Sequence, residues 1–116
     1  MFTLKTNLNH IESKEQLQKI LEEHENVMVC CGRMGPMCIP VYSAMESFER
    51  SGKYNHVKFY DMLFDLPDAS VIRSLPECRG FMSLPFTVYY KNGKVVKATA
   101  GLQTPEQIEE ILEEYF

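Results

Sequence analysis

Residues 27–48 read VMVCCGRMGPMCIPVYSAMESF. The first five, Val27 to Cys31, are apolar at every position, which predicts a central parallel strand covered on both faces. Gly32-Arg33-Met34-Gly35-Pro36 is a turn whose proline suits the first position of a helix. Val41, Ala44, Met45 and Phe48 then recur at helical spacing and form the inner stripe of a helix laid on the sheet. That helix should end near Ser51-Gly52, where the glycine can take a left-handed cap.

The flanks extend this unit. On the N-terminal side, Ser13 and Gln16 form a capping box ahead of Leu17, Ile20 and Leu21, which predicts a helix over residues 14–24. On the C-terminal side, Val57 to Met62 reads as a strand. Residues 63–80 are irregular, interrupted by Pro67 and Pro76, with one short helix over residues 68–74. Phe86 to Tyr90 and Lys94 to Thr99 flank Asn92-Gly93, a strong hairpin signal because both turn residues tolerate positive φ. Thr104, Pro105 and Glu106 supply the cap, first-position proline and acidic first turn of a last helix, with Ile108, Ile111, Leu112 and Tyr115 inward. The order predicts an α/β domain over residues 1–116, with a central four- to five-stranded mixed sheet and helices on both faces.

Composition narrows the function classes. The chain has 116 residues, 45% of them hydrophobic and 24% charged, and a net charge of −4. An acidic balance argues against nucleic acid, whose phosphates call for a basic face. No apolar run approaches the length of a membrane span. The opening MFTLKTNLNHIE is mixed and polar, which predicts no secretory signal and a cytoplasmic location. The four cysteines are then expected to stay reduced unless they are catalytic. Cys30, Cys31 and Cys38 cluster within nine residues, while Cys78 stands apart.

In element order and punctuation the chain resembles the thioredoxin superfamily. Val27–Cys31 is similar to that family's central strand, and residues 34–38 (MGPMC) to its active-site turn. Ser83-Leu84-Pro85-Phe86 resembles its cis-proline loop, the Asn92-Gly93 hairpin its turn, and Gly101 the glycine before its last helix. The family motif is Cys-Gly-Pro-Cys, and two registers are open here. A literal match of Gly-Pro puts Met34 and Met37 at the cysteine positions. A match on the helix puts Cys38 at the second cysteine and Gly35 at the first. In the family, buried positions fall three, six, seven and ten residues after the second cysteine. From Cys38 these are Val41, Ala44, Met45 and Phe48; from Met37 they are Pro40, Ser43, Ala44 and Ser47. The first set is wholly apolar, so the helix register is preferred. Neither register keeps the leading cysteine, no tryptophan precedes the motif, and the family's buried central-strand acid falls at Met28 or Val29.

Under this register Cys38 is the candidate nucleophile. Its helix N-terminus, a nearby Arg33 and partial exposure would each favour thiolate. The competing reading is a small core residue. Cys31, at the strand end, is a candidate partner for Cys38, against two unpaired thiols. Cys30 points to the opposite face and into the core. Cys78 is either a distant resolving thiol or a surface or semi-buried cysteine. The spacing of the four contains no Cys-x-x-Cys pair, so no metal or cofactor is expected. His10, His24 and His56 are scattered and read as solvated, the glutamates after Glu106 as an outer helix face, and Asp61, Asp65 and Asp68 as part of the loop-prone segment. The resemblance implies that Gly35, Pro36, Met37, Leu84 and Pro85 border a peptide-binding groove.

Two functions follow. One is an atypical thioredoxin-like thiol–disulfide oxidoreductase acting through Cys38, with Cys31 or a low-molecular-weight thiol as partner. The other is a redox-silent module that holds a peptide or protein at the Pro85 groove. Fold alone does not choose between them.

Overall fold

The computed structural model describes residues 4–116. Its strands are β1 (Asn9–Ile11), β2 (Asn26–Gly32), β3 (Lys58–Leu63), β4 (Phe86–Lys91) and β5 (Lys94–Ala100). Its helices are α1 (Lys14–Glu23), α2 (Ile39–Ser51), the single turn α3 (Ser70–Arg73) and α4 (Pro105–Tyr115). The sheet order is β1-β3-β2-β4-β5. β1 and β2 run parallel to β3, while β4 is antiparallel to both β2 and β5. The mixed sheet is therefore realised in its larger form. Its fifth strand, β1, has only three residues and no periodic signal of its own.

β2 is buried at all seven positions, as an unbroken apolar run requires in the middle of a two-faced sheet. Its alternate side chains feed two cores. Met28 and Cys30 pack with Val41, Ala44, Met45 and Phe48 of α2 and with Ile108 and Leu112 of α4. Val27, Val29 and Cys31 pack on the other face with Leu17 and Ile20 of α1 and Ile72 of α3.

Local chemistry sets the element ends. The Ser13 hydroxyl accepts from the Gln16 N–H, while the Gln16 side chain reaches back to the Glu12 N–H, one residue before the cap. At α4 the box closes fully between Thr104 and Gln107. Gly52 caps α2 at φ +73°, and Asn92 and Gly93 hold φ +53° and +78° in the hairpin turn. A register shift between Tyr89 and Tyr90 bulges the β4–β5 ladder. Residues 67–78 form α3 between two turns of 3₁₀-helix in place of one continuous helix, because Pro67 and Pro76 each restart the backbone.

Candidate functional site

β2 delivers the chain at Gly32 to the turn that opens α2. The N–H groups of Cys38 and Ile39 both donate to the Gly35 carbonyl, at 3.1 and 3.0 Å, in a turn that leads into α2, so Cys38 is the N-cap and Pro40, rather than the expected Pro36, sits in the first turn of the helix. Pro40 offers no N–H to the Pro36 carbonyl. The ladder resumes when Val41 and Tyr42 both donate to the Cys38 carbonyl. The inward stripe then runs Val41, Ala44, Met45 and Phe48, with Pro40, Ser43 and Ser47 exposed. Tyr42 adds a buried aromatic ring whose hydroxyl donates to the Arg33 carbonyl at 3.1 Å.

Three groups meet over Gly32. A methyl built on its Cα would lie 2.8 Å from the Tyr42 hydroxyl, 2.9 Å from Cys38 Sγ and 3.0 Å from Pro85 Cβ. The Cys38 thiol and Pro85 are therefore neighbours, brought together by the one residue that leaves room for both. The Leu84–Pro85 peptide bond is cis. Among the described residues, the Leu84 N–H and carbonyl have no backbone partner. Around this point the surface is apolar. Met37 reaches across to Gly101, where a built Cβ would lie 3.3 Å from Met37 Cε and 3.4 Å from Ser83 Cβ. Met37, Met82 and Leu102 are exposed at 42%, 95% and 47%. Gly35 opens to solvent, with nothing within 4 Å of its Cβ position.

The cysteines depart from expectation. All four are free and buried. Cys38 is only 3% exposed because its side chain turns inward over Gly32, so the expected partial exposure is not found. Cys31 does not share a layer with Cys38. Strand alternation sends Cys31 to the core with Cys78, and it is Cys30 that lies in the core with Cys38. The candidate Cys31–Cys38 pair is thus separated by the sheet. Cys78 is 2% exposed, more deeply placed than the surface or semi-buried position expected of it. Burial pushes the Cys30 thiol well up, Cys31 up to about 12 and Cys78 up to about 11. Arg33 is also committed elsewhere. Its guanidinium forks onto Asp65 at 2.8 and 2.7 Å and lies over the Phe64 ring, so its charge is largely offset before it reaches Cys38.

No protein-family model and no curated protein matches the sequence. Its shape, however, is shared. A thioredoxin of Plasmodium falciparum superposes with TM-score 0.74 at 21% identity, over 94% of this chain and 100% of that one. The Malassezia sympodialis thioredoxin gives 0.75 at 16%, over 99% and 96%. Mitochondrial thioredoxin 3 of Saccharomyces cerevisiae gives 0.73 at 16%, over 92% and 94%. The protein has the thioredoxin fold. Ahead of α2, Gly35 leaves its Cβ direction open while Cys38 turns inward.

This thioredoxin-fold chain also carries an acid where the reading of its sequence placed none. Asp61 belongs to the strand expected over Val57 to Met62 rather than to the loop-prone segment that follows. It lies on β3, fully buried, between Phe59 and Leu63 on the face shared with Cys30. It accepts hydrogen bonds from the Thr6 hydroxyl and from His10 Nδ1, the latter at 2.6 Å, so His10 is engaged rather than merely solvated. The register lines up His10, Asp61, Cys30, Thr87 and Thr99 in one polar rung across all five strands. The signal was in the period of two: Asp61 stands on the same parity as Phe59 and Leu63. Asp65 and Asp68 face other partners, Arg33 and the Lys14 N–H. Among the described residues no three metal-binding side chains converge.

Burial holds the Asp61 carboxyl above its ordinary value of 3.8, although the Thr6 and His10 bonds pull the other way. The folded chain therefore keeps this proton after the unfolded chain has lost it. Its contribution to stability is complete below that ordinary value and declines as pH rises through the window just above 3.8. Urea unfolding from pH 3.5 to 6 should show this decline in the wild type relative to Asp61→Asn. Parallel stability profiles for the two proteins would contradict it.

Proposed function

We propose that the protein grips an extended partner segment beside Leu84 and Pro85, and that Cys38 is the thiol that meets a disulfide carried by that segment. The observation that supports this reading is the convergence of Cys38 Sγ and Pro85 over Gly32, beneath the exposed rim of Met37, Met82 and Leu102. The unpaired backbone of Leu84 offers strand-like hydrogen bonds, and methionines adapt to varied side chains. Gly35 and Pro36 shape the open side of the groove.

In the exchange step, the Cys38 thiolate attacks one sulfur of the partner disulfide. The partner S–S bond breaks, a Cys38–S bond forms, and the departing sulfur leaves as a thiolate that takes up a proton. With Cys31 on the far side of the sheet, one low-molecular-weight thiol displaces the partner as its thiolate and is left bonded to Cys38, and a second such thiol frees Cys38 as the low-molecular-weight disulfide forms. This chemistry suits a reducing compartment such as the cytoplasm.

A redox-silent binding module is the second reading, favoured by the burial of Cys38 and by Gly35 at the surface position. Timed alkylation of the native protein, read by mass spectrometry, separates the two. Cys38 should be modified ahead of Cys30, Cys31 and Cys78, and bound partner peptide should slow it. Modification of Cys38 only upon global unfolding would leave the binding module as the function.

A further inference from the structure

At the other end of the sheet lies a cleft of about 790 Å³ between α1, α3 and the β4–β5 turn. We propose that it is a second docking surface, one that takes a basic amphipathic segment of a partner protein. Its floor is apolar: Leu17 and Leu21 of α1, Val71 of α3, Leu75 just after it, and Tyr90 of β4. Leu21, Val71 and Leu75 are only partly buried, because a single-turn α3 covers less of this face than α2 and α4 cover of the other. Its rim carries Glu15, Glu22 and Glu23 against Lys14, while Glu25 is engaged by Lys91 at 3.3 Å.

The cleft is separate from the Pro85 groove. Tyr90 pairs with Val27 at the start of β2, whereas Phe86 pairs with Cys31 near its end. Those rungs are four residue steps apart, roughly 13 Å. The floor residues belong to the core containing Cys31, and Cys38 belongs to the opposite one. Charge and shape select the occupant. A partner helix or strand can lay leucine-like side chains on the floor while its lysines or arginines meet the glutamates. A second copy of this chain, at net charge −4, meets that rim with like charge. A small ligand finds no orienting group, since the buried polar atoms without partners among the described residues, on Tyr89 and Thr99, lie outside the cleft.

The test uses a fluorescent amphipathic peptide of leucine and lysine, and a leucine–glutamate peptide of the same pattern. Anisotropy should show salt-sensitive binding of the first and none of the second. Glu15→Gln, Glu22→Gln and Glu23→Gln together should weaken binding by about tenfold. These glutamates are exposed, so the variant should fold, as circular dichroism would show. Amide NMR shifts in the wild type should fall on Leu21, Val71, Leu75 and Gly93. Equal binding of both peptides, an unaffected triple variant, or shifts at Met37, Met82 and Leu102 would each overturn the proposal. A concentration-dependent dimer abolished by Leu75→Asp would assign the cleft to a second copy and overturn it equally.

Discussion

Gly35→Cys should raise the rate of insulin reduction above that of the wild type by about tenfold or more. Gly35 begins the turn that leads into α2, has no positive φ, and leaves its Cβ direction open to solvent, so a side chain enters without displacing anything. Its thiol would stand where the helix amides favour thiolate. Cys38 would lie three residues on, facing the same side of one turn. The surface sulfur would then attack, and Cys38 would resolve the mixed disulfide from within. The matched variant Gly35→Ser, which fills the same space without a thiol, should stay at the wild-type rate. If Gly35→Cys forms its internal disulfide and still reduces insulin no faster than wild type, the Pro85 groove does not present disulfides to this turn.

Gly32→Ala should be the costliest single methyl in the molecule, removing about 3 kcal/mol of stability. The added carbon would meet the Tyr42 hydroxyl, Cys38 Sγ and Pro85 Cβ, all at or below 3.0 Å, and all three residues are buried. Interiors packed to crystal density pass such strain outward rather than absorb it. Cys38 is the most movable of the three, so its alkylation should quicken as stability falls. Urea midpoints measure the first effect and timed labelling the second. Gly35→Ala, with nothing within 4 Å, is the control and should change stability by less than about 1 kcal/mol. Equal midpoints for Gly32→Ala and wild type would mean that the three groups are not packed against Gly32.

The elements that carry their own periodicity were legible in the sequence. Val27–Cys31 announced a two-faced strand because every position is apolar, and Val41, Ala44, Met45 and Phe48 phased α2 because only that register avoids burying serines. Asn92-Gly93 fixed the hairpin through backbone freedom. What stayed hidden depends on partners distant in the chain. β1 is a strand only because β3 is there to pair with it. The strand holding Asp61 was legible, but its burial was not, because its two hydrogen-bonding partners lie more than fifty residues away. The cysteine layers followed from strand parity, but which parity faces α2 was set by tertiary packing. Exposure of Cys38 could not be read locally, since Gly32, Tyr42 and Pro85 close over it from three separate elements.

The two outermost strands have a colloidal consequence. An open row of amides at a sheet margin is a template on which another copy can crystallise into a ribbon. Here one margin is the three-residue β1, too short to template much. The other is β5, whose exposed Lys94 and Lys97 set like charges against any approaching twin, while the bulge beside Tyr90 twists the row away from flat contact. Both margins of the sheet therefore oppose edge-to-edge growth between copies, one by its shortness and the other by its charge and twist.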